Sequence, residues 1–229
     1  MSTVKTAICR PDTGDVAASV KPYEEEIPWK IEGEGKVEKF FDNRAHYYDK
    51  QMEGIYNGPR ISAQQLTKFV TEKEKKILDI AAGTGLIGKA LFDEGFTNIT
   101  AIDRNEQMLK QAASKGVYTE IHMGSFEDNS LADNSFHACV CVGAFLTSGF
   151  LDPVRAVKEM IRLTAIDGII LIMVNGTELG ECKSVMQSLV GAFSAATEKG
   201  LCNLVTETFV PNYLEACEGV MWVLRKKMT

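Results

Sequence analysis

The chain has 229 residues, of which 45% are apolar and 24% charged, the proportions of a globular protein and not of a disordered or fibrous one. That length accommodates one large α/β domain with a modest appendage, not two full domains. The net charge of −6 works against a broad phosphate-binding surface, so nucleic acid is a disfavoured partner. The longest apolar runs, such as Ile169 to Val174, fall far short of the roughly 20 residues of a membrane span, and no basic segment with an apolar core opens the sequence. The expectation is a soluble, cytoplasmic protein.

Residues 1–36 carry Pro11, Pro22 and Pro28, the acidic run Glu24 to Glu26, and Gly33 and Gly35, with no sustained apolar period. They are expected to form an irregular or mobile lead-in. From Val37 to about Phe69 the pattern is helical, in two segments broken at Tyr56-Asn-Gly-Pro59. Residues 37–65 supply none of the strands that follow and are rich in aromatics, so they are expected to be a helical lid over a core formed by residues 66–229.

Strand and helix patterns then alternate. Ile77 to Ile80 reads as a strand, followed by a glycine-rich turn and a helix to about Glu94; Ile99 to Ile102 is a second strand, with a helix over Asn105 to Ser114; Thr119 to His122 is a third. Ala138 to Val142 is the fourth, and Pro153 to Leu163 a helix with Asp152 as its N-cap and proline in its first turn. Ile169 to Val174, apolar throughout, is a central strand covered on both faces. A long helix over about Glu178 to Lys199 precedes strands near Leu204 to Val210 and Val220 to Arg225. Nine residues between those two are too few for a crossover helix and imply a hairpin. The fold expected is α/β: a doubly wound, mostly parallel, seven-stranded Rossmann-like sheet with an antiparallel C-terminal strand.

The six cysteines show neither a C-x-x-C pair nor histidines at zinc-finger spacing, so no metal site is expected, and Cys139 and Cys141 read as reduced, half-buried strand residues. The informative segment is Ile77 to Gly88, where Gly83-x-Gly85-x-x-Gly88 stands at the carboxyl end of the first strand, the ligand-binding edge of such sheets. Asp103, 18 residues after Gly85, stands where a carboxylate meets a ribose diol. Asp79 lies four residues before Gly83; a carboxylate there repels a pyrophosphate and suits a cationic or zwitterionic ligand such as S-adenosylmethionine. Its alternative role is to cap the turn by bonding backbone amides.

On these residues the chain resembles the class I S-adenosylmethionine-dependent methyltransferases, and within them the methyltransferase-like proteins of the Williams-Beuren region type and, more distantly, the quinone-biosynthesis methyltransferases. Leu78-Asp-Ile-Ala-Ala-Gly-Thr-Gly85 matches the first motif, with Ala81 where the family carries glycine. Asp103-Arg-Asn-Glu-Gln-Met-Leu109 resembles the second motif, Gly124 to Asp128 the third-strand segment, Val142 to Phe145 the segment beneath the cofactor, and Phe41 to Asp49 an N-terminal motif of the quinone enzymes. His137 stands where the family usually has aspartate and reads as structural. The resemblance implies S-adenosylmethionine as cofactor and S-adenosylhomocysteine as product. It implies a binding set of Tyr48, Tyr56, Asp79, Ala81, Gly83, Thr84, Gly85, Asp103, Arg104, Met108, Ser125, Phe126, Val142 and Gly143.

Methyl transfer is an in-line displacement that requires alignment and exclusion of water, so the lack of a catalytic triad does not argue against an enzyme. If the acceptor arrives protonated, His46, Tyr47 and Tyr48 are the candidate bases. The segment after the fourth strand lacks the Asn/Asp-Pro-Pro-aromatic pattern of amino-methylating enzymes; with the acidic net charge this favours a small, partly apolar acceptor over nucleic acid and leaves a protein acceptor open. Two other readings stand beside the enzyme: a non-catalytic cofactor-binding partner subunit, and an NAD(P)-dependent dehydrogenase in which Arg104 seeks a 2'-phosphate.

Overall fold

A computed structural model describes residues 36–145, 151–176, 181–215 and 217–228. The expected lead-in therefore lies outside the described residues apart from Lys36, as do residues 178–180 at the start of the last long helix. Three helices, α1 (Lys36–Arg44), α2 (Tyr48–Met52) and α3 (Gly58–Thr67), precede β1 (Ile77–Ile80), α4 (Leu86–Asp93), β2 (Ile99–Asp103), α5 (Glu106–Ser114), β3 (Glu120–Met123) and β4 (Phe136–Val142). There follow α6 (Pro153–Leu163), β5 (Thr164–Asn175), α7 (Glu181–Glu198), β6 (Cys202–Leu214) and β7 (Cys217–Lys226).

The seven strands form one sheet in the order β3-β2-β1-β4-β5-β7-β6. All neighbours pair in parallel except β7, which is antiparallel to both β5 and β6. This is the mostly parallel, doubly wound sheet with an antiparallel C-terminal strand that the alternation of patterns implied. Side chains alternate between two buried faces. Leu78, Ile80, Cys139, Cys141, Ile170, Ile172, Trp222 and Leu224 pack with α6 and α7. Ile77, Ala138, Val140, Ile169, Leu171, Met173 and Val223 pack with α3 and α4. Cys139 and Cys141 are thus fully buried, not half-buried, because their strand is central and covered twice. Burial pushes the Cys139 thiol up to about 12 and the Cys141 thiol well above its usual range, so both are inert.

Asp152 caps α6 as expected: its Oδ1 accepts hydrogen bonds from the amides of Val154 (2.8 Å) and Arg155 (3.1 Å). Three elements differ from the sequence pattern. The helical region before β1 has three helices instead of two, with a break at residues 45–47, and Gly58-Pro59 opens α3 instead of merely ending the preceding helix, since proline is tolerated in a first turn. Strand β5 begins five residues early, passing an irregularity in its pairing with β4 in the stretch where Asp167 takes a φ of 62°. Strand β6 runs on through Pro211, which an edge strand tolerates because its missing amide has no ladder partner to lose.

The expected boundary between lid and core, at residue 65, falls inside α3. Ser62, Ala63 and Leu66 of that helix are buried, Ala63 and Leu66 in the cluster beneath the sheet, so α3 is part of the packed layer. Of the three helices before β1, α1 and α2 contribute no residue to that cluster. No helix of the described residues is long and apolar enough to cross a membrane.

Candidate functional site

Connections run from β1 to β2 and β3 on one side and continue with β4 and β5 on the other, so the strand order reverses beside β1, and there the carboxyl ends of the strands open into a cleft. Its floor is Ala81 to Thr84 after β1; one wall is Asp103, Arg104, Asn105 and Met108 after β2, and the other Val142, Gly143 and Ala144 after β4. Leu86 and Ile87 of α4 complete the floor, while Glu38, Phe41, Tyr48, Tyr56 and Pro59 come from the N-terminal helices.

The loop after β1 turns sharply. Ala81, Gly83 and Gly85 all have positive φ (53°, 55° and 86°), which explains the preference for glycine at position 81: Ala81 carries a side chain in the left-handed region. At Gly83 a Cβ would meet nothing within 4 Å, so the main chain there faces open space. Gly85 does not line the cleft. A Cβ on it would lie 3.1 Å from Ala112 of α5, so its role is close helix packing. Gly88 is more constrained still, because a Cβ would fall 2.2 Å from Cζ and Oη of Tyr118.

That tyrosine is the partner of Asp79 that the sequence did not reveal. The Tyr118 hydroxyl donates to Asp79 Oδ2 at 2.6 Å, sealing a carboxylate that is 1% exposed and does not line the cleft. Burial raises the Asp79 pKa to about 7 and outweighs the lowering by the Tyr118 hydroxyl; the neighbouring Asp103 charge adds to the rise, and the Gly88 amide opposes it. Oδ1 of Asp79 makes no complete hydrogen bond. The same burial, then the Asp79 carboxylate, drive the Tyr118 pKa well above its ordinary value.

Asp103 ends β2 with both oxygens engaged: Oδ2 accepts from the Gly83 amide and Oδ1 from the Asn105 amide, each at 2.8 Å. Its pKa is raised by burial despite those bonds and the Arg104 charge. Asp103 therefore ties the two loops together, and Asn105 caps α5 by accepting from the Met108 amide at 2.9 Å.

The two N-terminal helices are clasped to the same loops. Asp49 of α2 accepts from Thr84 Oγ1 and from Lys115 Nζ, both at 2.5 Å, and Lys115 also donates to the Thr84 carbonyl. Glu38 of α1 pairs with Arg104 at 3.1 Å, and its carbonyl accepts from Asn105 Nδ2 at 3.3 Å.

Of the residues expected in the site, Tyr48, Tyr56, Ala81, Gly83, Thr84, Asp103, Arg104, Met108, Val142 and Gly143 line the cleft. Ser125 and Phe126 do not: Ser125 Oγ accepts from the Glu127 amide, and Phe126 is buried in the core beneath α6 and α7. Among the three candidate bases only Tyr48 reaches the cleft; His46 is exposed with its ring against Tyr47, whose hydroxyl accepts from Arg44. Glu38, Phe41, Pro59, Leu86, Ile87, Ala82, Asn105 and Ala144 line it without having been expected in the site. Phe41 was within reach as the first residue of the N-terminal motif. No group of three or more His, Cys, Asp or Glu suited to a metal ion occurs among the described residues.

The model of a methyltransferase domain matches residues 78–172, from within β1 into β5. Demethylmenaquinone methyltransferase of Chlorobaculum parvum is 30% identical over 176 residues, covering 70% of this chain and 72% of that protein. Human methyltransferase-like protein 27 is 31% identical over 126 residues, 53% of this chain; the chain spans about half of that relative (51%). Among solved structures, the putative methyltransferase of Haloferax volcanii, in complex with the Trm112 activator, superposes with a TM-score of 0.67 at 16% identity, covering 84% of this chain and 98% of that one.

Proposed function

Because the chain belongs to the class I S-adenosylmethionine-dependent methyltransferases, we propose that it transfers a methyl group from S-adenosylmethionine in line to a small, partly apolar acceptor, leaving S-adenosylhomocysteine. Within the class, the proposed placement is with the proteins of the Williams-Beuren region type that the sequence resembles. The observation that carries the reading is the cleft at the reversal point of the sheet, with two loops bridged by Asp103 and an apolar wall of Phe41, Pro59, Ile87 and Val142.

The residues present fit this cofactor. The main chain at Gly83 faces open space, so a ligand can approach it without a side chain intervening. Each Asp103 oxygen accepts one amide and keeps capacity for a ribose hydroxyl. Ala81, Gly83 and Thr84 would shape the methionine end of the site; Asp103, Arg104 and Met108 the adenosine end; Val142, Gly143, Tyr48 and Tyr56 the methyl end, while Gly85, Ser125 and Phe126 stay outside the lining.

When bound, the cofactor supplies a carbon activated by a positive sulfur, whose electron pair leaves with the sulfur. The chain's task is to align the acceptor with that carbon and to exclude water. Helices α1 and α2 act as the lid, and Tyr48 is the base where the acceptor must lose a proton.

Calorimetry with S-adenosylhomocysteine, NADH and NADPH tests the reading: the first binds and the nicotinamides do not. Incubation of a metabolite extract with methyl-deuterated S-adenosylmethionine then labels a small molecule, detected by mass spectrometry. Nicotinamide binding without S-adenosylhomocysteine binding overturns the proposal; cofactor binding with no labelled product favours the partner-subunit role.

A further inference from the structure

Lys115, at the C-cap of α5, joins three parts of the fold that meet beside the cleft. Its Nζ donates to Asp49 Oδ2 of α2 and to the Thr84 carbonyl in the loop after β1, and Thr84 Oγ1 donates to Asp49 Oδ1, each at 2.5 Å. One carboxylate thus takes an ammonium on one oxygen and a hydroxyl on the other, and the ammonium also holds the main chain of the residue that supplies the hydroxyl. The Lys115 side chain is 16% exposed, so these bonds are largely withdrawn from solvent.

A cation at the C-terminal end of a helix is favoured by the helix dipole alone. Lys115 does more, because its side chain leaves α5 for the loop after β1 and for α2. It does not line the cleft, whereas Thr84 and Tyr48, the neighbour of Asp49, both do. Helix α2 has only five residues, too few to stay helical unaided, so its place depends on contacts such as these and on the burial of Met52.

Helix α1 is anchored elsewhere. Its Glu38 carboxylate pairs with Arg104 and its Glu38 carbonyl accepts from Asn105 Nδ2, both in the loop after β2. The helices touch each other through Phe41 and Tyr48, whose rings meet edge to face with centroids 6.4 Å apart. Each cofactor loop therefore carries its own helix.

We propose that Lys115 is a positioning residue of the cofactor site: by holding Thr84 and Asp49 together it sets the methionine end and the segment carrying Tyr48 as one unit, while the adenosine end is set separately through Glu38 and Arg104. Without Lys115, a ligand that reaches Thr84 has to order the loop and α2 at its own expense, and a ligand confined to the adenosine end does not. The inference rests on the methyltransferase reading for which end of the cofactor meets Thr84.

Two ligands separate the ends. S-adenosylhomocysteine has both, and 5'-methylthioadenosine keeps the adenosine and the sulfur but lacks the amino-acid arm. Calorimetry and ligand-observed NMR on the full chain measure each. Lys115→Met keeps the length of the side chain and removes its charge and donors; S-adenosylhomocysteine affinity falls about tenfold while methylthioadenosine affinity stays within about twofold. Asp49→Asn keeps an acceptor for Thr84 and loses the charge, so its selective loss is smaller, about threefold. Glu38→Gln weakens both ligands by the same factor. If Lys115 only caps α5, Lys115→Met moves both ligands together or neither. The inference is overturned if neither Lys115→Met nor Asp49→Asn loses S-adenosylhomocysteine selectively, if Glu38→Gln shows the selective loss, or if the wild type binds S-adenosylhomocysteine but not methylthioadenosine. Failure of the methyltransferase reading shows separately, as absence of S-adenosylhomocysteine binding in the wild-type protein.

Discussion

Replacing Asp79 by asparagine should change how stability depends on pH, with a sign opposite to that of most carboxylates. In the unfolded chain the group titrates near 4; in the folded protein burial raises it to about 7. Between those values the native state holds a proton that the unfolded state has released. Stability from this group is therefore full below pH 4, falls as pH rises toward 7, and is flat above. Three pH units at about 1.4 kcal/mol each bring the loss to the order of 4 kcal/mol. Asparagine keeps the shape and an acceptor for the Tyr118 hydroxyl but cannot ionise. Urea unfolding of both proteins from pH 4 to pH 8 gives a difference curve in which the other titrating groups cancel. The wild type should lose ground to the variant across that window. A curve flat within about 1 kcal/mol, or rising, would refute the assignment of a buried, proton-holding carboxylate. Tyr118→Phe, which removes a bond favouring the ionised form, should move the midpoint upward.

Gly88→Ala should destabilise by about 1–3 kcal/mol in chemical denaturation, since the added methyl displaces Tyr118 from Asp79 and this exceeds the roughly 1 kcal/mol gained in helix propensity; a more stable variant contradicts the packing argument. Ala81→Gly should leave stability unchanged or raise it by up to about 1 kcal/mol, the relief of a left-handed alanine offsetting the entropy of an added glycine, and a clear loss on urea unfolding contradicts it. Asp103→Ala should weaken S-adenosylhomocysteine binding by roughly 10- to 150-fold in calorimetry, because it removes a ribose acceptor and frees the Gly83 amide; unchanged affinity would remove this acid from the site. Hydrogen exchange should show residues 36–52 gaining protection on S-adenosylhomocysteine binding while α3 and the strands change little; equal protection in both states would end the case for a lid.

The sheet was legible in the sequence because its central strands β1, β2, β4 and β5 combine apolar runs with turn residues nearby, and the crossovers left few topologies. The cleft was half legible, since Gly83, Asp103 and Val142 follow strands whose ends the alternation of patterns located. What escaped were contacts between distant residues. Tyr118 reaches Asp79 from 39 positions away, and only the missing side chain at Gly88 lets it pass. Tyr213 and Tyr56 are 157 residues apart, and nothing in the stretch around Pro211 marks it as reaching the active end of the sheet. The split of the expected lid was hidden too, because the buried face of α3 is made of small or isolated residues, Ser62, Ala63 and Leu66, without a strong periodic stripe.

The clasps of α1 and α2 tie these helices to the loops that line the cleft. Thr84 belongs to the loop after β1 and Arg104 to the loop after β2, and each is held by an acidic residue of a different helix, Asp49 of α2 and Glu38 of α1. A ligand that orders those loops would also order α1 and α2, because one set of contacts serves both. Both acids are partly exposed, with Asp49 42% and Glu38 38% accessible in the side chain, so salt should screen these pairs and weaken the hold on α1 and α2 before it disturbs the core. Helix α3 follows a different rule. Its hold is apolar burial, and the main-chain bond from Asn57 to Tyr213 fixes its entry; if α1 and α2 move as the proposed lid, residues 53–57, where α2 has ended and Gly54 adopts a φ of 77°, are where the chain would bend. Tyr56 lies beyond that stretch, its hydroxyl 3.2 Å from that of Tyr213 and its neighbour Asn57 bonded to the Tyr213 main chain, so this wall of the cleft is tied to β6 and not to α1 or α2.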